Sequence, residues 1–305
     1  MKILTYRDLE SKNGLLPLMD HAFRWPFNPQ SFEKFVKIDP RLKNSHVGFC
    51  AIEGDKVIGF VGVMDLATRT LDGNIEHVGG VYGVATLPGY TRRGISTILM
   101  NRAHEYFGDK GYRFSFLTTG HTLVAYAMYT KFGYSDVVTS ASTYKVLEPK
   151  KAASYKKREN GRLDWDRILR IYNEFTKDKV GFVIRDKMYL RMLKKAERIT
   201  AKQCIIDEDG YVIFRRDNGG IWIRELAAST VEEIEKLLMQ IEEKAKAVVY
   251  DRVTTDARLL KIYSRRNYII QKESHSIMMA KPLTANASFK QTYGNEFYMS
   301  SLDWF

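Results

Sequence analysis

An α/β fold laid out twice along the chain is what this sequence predicts, and three observations carry the prediction. Apolar runs of strand character alternate with segments whose apolar residues recur at helical spacing. The segment Lys261-Ile262-Tyr263-Ser264-Arg265-Arg266-Asn267-Tyr268 parallels Ala127-Met128-Tyr129-Thr130-Lys131-Phe132-Gly133-Tyr134 at an offset of 134 residues. The chain has 305 residues, 45% of them hydrophobic, which is enough for two cores at about 150 residues each.

The elements follow in order. A strand over Lys2–Tyr6 precedes helical stretches around 8–21 and 30–38. Apolar runs at His46–Ile52, Val57–Met64 and Val78–Thr86 read as strands. Ile95, Ile98, Leu99 and Ala103 fall at helical spacing, and Gly108 and Gly111 stop that helix. A strand at Arg113–Thr118, a helix at about 122–132 and strands near 134–147 complete the first unit. The second repeats the plan over 163–282, with helices at about 164–177, 186–198, 230–246 and 256–266. Its strands are expected at 202–207, 210–216, 220–226, 247–254 and 268–280.

Composition narrows the function. No stretch approaches the roughly 20 apolar residues of a membrane span, and the charged start MKILTYRDLESKNG is unlike a signal peptide. Cys50 and Cys204 make no disulfide framework, and no Cys/His cluster has metal-site spacing, so no metal is expected. These features point to a cytoplasmic protein. The net charge of +12 is spread thinly except at 148–162, where six basic residues meet two acidic ones. Such a run is a solvated linker or a contact for nucleic acid or an acidic partner. The linker is the expectation, with no nucleic acid and no membrane as partner. An oligomer is compatible with the sequence.

Strand, turn and helix meet at residues 84–100. Arg92 and Arg93 precede Gly94, and Ile95 and Ser96 begin the helix. Glycine lets an anion approach the backbone, while the first amides of a helix are unpaired donors at its positive end. With two guanidiniums this makes a pyrophosphate cradle. The plainer reading is a helix that begins with surface arginines.

Further on, in TTGHTLVAYAMYTKFGYSD, Ala125, Met128 and Tyr129 share one helical face and Phe132-Gly133-Tyr134 ends the helix. The order of a strand, the PGYTRRGIS helix, a strand, the AMYTKFGY helix and a strand resembles the GNAT superfamily of N-acetyltransferases. The resemblance covers residues 1–147. It implies a mixed, mostly antiparallel sheet flanked by helices, acetyl-CoA as co-substrate and an amine-bearing acceptor. Two positions depart from the family loop: Thr91 stands for Gln or Arg, and Ser96 for Gly or Ala. Thr122 stands where the family often has Asn, and its hydroxyl can still bond pantetheine. By resemblance, Val84, Ala85 and Thr86 lie on the strand that splays open and pairs with the pantetheine arm. Tyr129 matches the family's general acid; alternatively it is a core tyrosine.

Two tandem GNAT-like domains are therefore expected: 1–147 catalytic, 148–162 the basic linker and 163–282 degenerate. At the same offset, Arg92, Arg93 and Gly94 fall on Leu226, Ala227 and Ala228, and Ser229-x-x-Glu232 reads as a capping box. That helix satisfies its own amides and would repel a pyrophosphate. The tail, 283–305, carries Phe289, Tyr293, Phe297, Tyr298, Trp304 and Phe305, too aromatic to hang in water, and is expected to pack back on the protein. Tandem domains with an aromatic-ended tail resemble the Eis-type (enhanced intracellular survival) acetyltransferases. That resemblance implies the C-terminal carboxylate, here on Phe305, as general base; the alternative is apolar packing alone. Glu76 is an alternative base and His77 a candidate beside the acceptor, though a surface turn explains both. Trp25, Pro26 and Phe27 sit where the family builds its acceptor cleft, or are ordinary packing.

Overall fold

The structure, a computed structural model, describes residues 1–24, 27–148, 163–272 and 276–305. The chain opens with β1 (Lys2–Thr5), α1 (Leu15–Phe23), α2 (Pro29–Val36) and the one-turn α3 (Pro40–Lys43). Asn28 and Asp39 start the latter two by accepting from backbone amides one turn in, each followed by a proline. Then come β2 (Gly48–Glu53), β3 (Lys56–Arg69), β4 (Ile75–Thr86), α4 (Ile95–Asp109) and β5 (Phe114–Thr119). Next are α5 (Val124–Lys131), β6 (Ser135–Thr139) and β7 (Ala141–Val146). The second half has α6 (Trp165–Phe175), β8 (Val180–Gly181), α7 (Lys187–Ala196), β9 (Cys204–Ile206), β10 (Gly210–Asp217) and β11 (Gly220–Ala228). It continues with α8 (Val231–Lys244), β12 (Val248–Thr254), α9 (Ala257–Arg265), β13 (Ile269–Gln271) and β14 (Ile277–Pro282). The tail adds α10 (Phe289–Tyr293) and β15 (Phe297–Tyr298).

Two sheets result. The first runs β1-β2-β3-β4-β5-β14-β6, with β4 and β5 parallel and the other neighbours antiparallel. The second runs β13-β7-β12-β11-β10-β9, with β11 and β12 parallel and the rest antiparallel. So each half carries the predicted mixed, mostly antiparallel sheet.

The sheets do not divide where the sequence does. β14, from the second half, lies between β5 and β6, where Met279 faces Leu117 on one side and Asp136 on the other. β7, from the first half, lies between β12 and β13, where Tyr144 faces Tyr250 and Ile269. The units expected at 1–147 and 163–282 thus each lend a strand to the other's sheet. Strand pattern reveals that a segment is a strand and not which edge it joins, so the exchange was invisible. The β14 segment IMMA is buried on both faces, as a central strand must be.

Each sheet is covered on both sides. Met278, Ala280, Phe114 and Phe116 share a core with Leu15 and Leu18 of α1 and with Tyr293 and Phe297 of the tail. Val81, Leu117, Ile277 and Met279 pack on the other face against Ile95, Leu99 and Phe107 of α4. In the second sheet, Ile221, Ile223 and Val249 meet α8 and α9, while Tyr211 and Ile213 meet α6 and α7. Tail residues Tyr298 and Leu302 belong to this last core, so the tail joins both halves. Among the described residues no helix is long and apolar enough to cross a membrane. Most of the basic run, residues 149–162, lies outside the described residues.

Candidate active site

The centre of the first sheet comes apart. β4 and β5 pair from Gly79 with Ser115 to Val81 with Leu117, yet β4 runs on to Thr86 and β5 to Thr119. The cause is local. Gly62 faces Tyr82 and Phe60 faces Ala85, so β4 bulges at Gly83 and Val84. Gly83 takes φ +59°, a conformation open to glycine. Such a bulge bends its strand, here away from β5. Among the described residues no strand pairs with the β5-facing edge of Val84, Ala85 and Thr86. Ala85 is buried, while Val84 and Thr86 are partly open.

Directly beyond this edge the chain makes a short 3-10 turn at Pro88–Tyr90 and enters α4 through Thr91, Arg92, Arg93 and Gly94. Arg92 and Gly94 both have positive φ, +64° and +74°, which folds the loop tightly onto the helix start. For Arg92 that conformation costs roughly 1–2 kcal/mol, strain of the kind found at functional loops. No side chain caps α4. A Cβ on Gly94 would meet nothing within 4 Å, so the helix start is open to a ligand. Thr91 donates its hydroxyl to the Pro88 carbonyl at 2.9 Å, shaping the loop. Ser96 and Thr86 share a hydroxyl bond at 2.8 Å that ties helix start to strand end. Arg93 stacks on Tyr90 at 4.8 Å and lies 3.9 Å from Glu53; both charges are half exposed, so this ion pair constrains it little. Ile95 points its side chain into the core, leaving its amide at the helix start. An unpaired strand edge leading to an uncapped helix end fits the arm and the pyrophosphate of a coenzyme A thioester.

Two further groups lie on the two faces of the sheet where its strands part. Tyr129 of α5 packs with Val81 and Leu117, the last pair before the strands part, on the α4 side of the sheet. Burial pushes its hydroxyl pKa up to about 12. On the opposite side, Thr118 donates its hydroxyl to the backbone oxygen of Phe305. The Phe305 ring leans edge-on to Phe182 at 5.8 Å. Thr118 is the first β5 residue beyond the paired stretch, and side chains alternate along a strand. Tyr129 and Phe305 therefore approach the gap from opposite faces.

Residues 7–137 match the family described as an acetyltransferase (GNAT) domain. This part of the chain resembles a GNAT domain. No curated protein matches the chain in sequence. Among solved structures, a GCN5-related N-acetyltransferase from Kribbella flavida aligns at TM-score 0.67 and 15% identity, over 92% of this chain and 72% of that one. A conserved protein of unknown function from Enterococcus faecalis, a probable N-acyltransferase, aligns at TM-score 0.68 and 17% identity, over 92% and 72%. Eis1 from Mycobacterium abscessus aligns at TM-score 0.56 and 17% identity, over 84% and 72%. At these identities the likeness is one of fold, and it extends through both halves.

The other expected residues fall in different places. Thr122 is exposed in the turn before α5. Glu76 stands at the far end of β4, eight residues from Val84, or about 25 Å along a strand. There Arg113 grips it at 2.7 and 2.9 Å and the Tyr293 hydroxyl donates to it at 3.0 Å. This corrects its candidacy as a base: it is an ion-paired carboxylate away from the gap. His77, beside it, is equally distant and exposed. Phe27 is buried against Phe32, with ring centres 5.4 Å apart, and so belongs to the packing of α2. Trp25 lies outside the described residues.

The second half has a similar parting of strands in different surroundings. β11 and β12 also part, after Ile223 and Asp251. Here α8 is capped by Thr230, whose hydroxyl accepts from the Glu233 amide at 3.2 Å, and Glu232 and Glu233 fill its first turn. The cap sits one residue later than the sequence implies. Arg258 donates to the carbonyls of Ala228 and Ser229 at 3.2 and 3.3 Å, and Ser301 of the tail donates to that of Arg224 at 2.7 Å. Arg258 stands 134 residues after Val124, which is exposed in the first half. Sequence reasoning missed Thr118 and Arg258, although the repeat offset points to Arg258.

Proposed function

We propose that this chain is an acetyl-CoA-dependent N-acetyltransferase that moves an acetyl group directly to a primary amine, using the first domain alone. What supports this reading is the gap itself: an unpaired strand edge that leads to an uncapped helix start, with an oxygen of Phe305 held on Thr118 beside it. Backbone groups of Val84, Ala85 and Thr86 align the pantetheine arm, with Thr122 beside it. The amides of Ile95 and Ser96 and the side chains of Arg92 and Arg93 hold the pyrophosphate at Gly94, where Thr91 shapes the loop. An amide near Val84 polarises the thioester carbonyl as an oxyanion donor does.

The acceptor arrives as an ammonium, and losing its proton at pH 7 costs about 4.6 kcal/mol at a pKa of about 10.4. In a chain that ends at Phe305, the oxygen on Thr118 belongs to a carboxylate. That carboxylate takes the proton on one face of the sheet. The amine nitrogen then bonds to the carbonyl carbon and sheds its second proton to solvent as the carbon–sulfur bond breaks. Tyr129, on the other face, gives its proton to the departing thiolate. Proton exchange with solvent resets both groups. The apposition of faces supports these roles, because acceptor and coenzyme need opposite sides of the gap.

The reading is tested by free thiol release from acetyl-CoA against a panel of amines, with product masses checked. Release that depends on the amine is the expected result. Acetyl-CoA binding without turnover on any amine would favour a sensor instead. Removing both loop arginines (Arg92→Ala with Arg93→Ala) should raise KM for acetyl-CoA at least tenfold while kcat changes less than about twofold, given roughly 1.5–3 kcal/mol per charged hydrogen bond. An unchanged KM would remove them from the pyrophosphate site.

A further inference from the structure

The tail is held by a buried ionic latch in the second half. The Arg185 side chain is 1% exposed, and its guanidinium donates to both oxygens of Glu225, at 2.9 and 2.7 Å. The same side chain donates to Asp303 at 2.7 Å and to the Ser300 hydroxyl at 3.2 Å, and it stacks on Tyr172 at 3.9 Å. Tyr211 donates to Glu225 at 2.7 Å and Tyr189 to Asp303 at 3.1 Å. The other Asp303 oxygen accepts from the Ser300 amide at 3.1 Å and closes the turn. Arg224 adds two bonds to Ser301, and Thr255 exchanges two with the backbone of Met299.

Two residues beyond Asp303, Phe305 rests on Thr118 of the first sheet. A two-residue segment spans at most about 7 Å, so where Asp303 is fixed decides where Phe305 can be. An ion cluster this deep is no bargain in stability, since well-packed apolar groups hold as well or better. What it adds is direction: a planar guanidinium gripping carboxylates fixes both distance and angle, which apolar contact does not.

We propose that Arg185 and Asp303 are positioning residues for catalysis, so that the second half serves the first by holding the end of the tail at the gap between β4 and β5. This rests on the reading of the Phe305 carboxylate as base. Asp303→Asn keeps the volume and leaves the Arg185–Glu225 pair intact. It should lower kcat at least tenfold, with KM for acetyl-CoA within about twofold and a cooperative melt retained. Deleting Phe305 should lower kcat at least as far, and the double variant should be no slower than the deletion, because the latch acts through the residue already lost. Should Asp303→Asn not fold, Ser300→Ala, which loses one bond to Arg185, takes its place in the comparison. A folded latch variant with unchanged kcat, beside a slow deletion, would overturn the positioning role and leave the base reading standing. An unchanged deletion would overturn both. Multiplying losses in the double variant would show that Asp303 acts independently of Phe305, which also overturns the proposal.

Discussion

A chain cut after Leu147 should not fold on its own. The fragment contains the phosphate loop and Tyr129, yet lacks β14, which pairs with β5 and β6 along its length. Ile277, Met278 and Met279 are at most 1% exposed, and they feed both cores of the first sheet. Each such side chain stabilises by about 1.5–3 kcal/mol, so the three together approach the roughly 5–15 kcal/mol that holds a whole protein folded. The cut also strips β7 of its partners β12 and β13. Circular dichroism on heating should show no cooperative transition for 1–147 and a clear one for the full chain. Co-expressing 1–148 with 163–305 should restore it, since the fragments complete each other's sheets. A cooperative melt of 1–147 alone, with acetyl-CoA binding, would show that β6 can close directly onto β5.

Tyr129→Phe should depress kcat by about 10²-fold or more while leaving acetyl-CoA affinity within about twofold. General acid catalysis supplies gains of about 10²–10⁴, and the substitution removes an oxygen while keeping the ring that packs against Tyr134. Burial holds the Tyr129 proton in place to a pKa of about 12, so the group donates throughout the neutral range. Its ionisation should leave no limb in the pH–rate profile below about pH 11. Stopped assays of thiol release, together with direct titration of acetyl-CoA, read both quantities. An unchanged kcat would take the acid role from Tyr129 and leave it as core packing.

Much of this molecule is legible in its sequence because the signals are local. Ile95, Leu99 and Ala103 lie on one face of α4 and are buried there. The repeat of Tyr129 at Tyr263 corresponds to matching helices, and Tyr263 is buried with its hydroxyl on Asp251 at 3.0 Å. Most long helices fall within a few residues of their apolar patterns, but the helix expected around 8–21 starts only at Leu15, and the strand expected at 268–280 is two strands, β13 and β14, in different sheets. Short elements are another matter: α3, β8 and β15 hold too few residues to show a period. Glu76 misleads for a geometric reason, since it is a neighbour of the loop strand in sequence but at the wrong end of it in space.

Two α/β halves, a glycine-ended basic loop before a helix in the first and a capped, acidic helix start in the second can all be read from the residues in order. Each of these depends on residues within a turn or two of one another, where propensity and spacing decide. Folding in three dimensions sets the rest: the halves exchange β7 and β14, Glu76 pairs with Arg113, and Phe305 reaches Thr118. An apolar strand buries equally well beside either sheet, and a charged side chain pairs with whatever partner the fold brings near. Those choices join residues from 37 positions apart, for Glu76 and Arg113, to 187, for Thr118 and Phe305, and no local pattern records them.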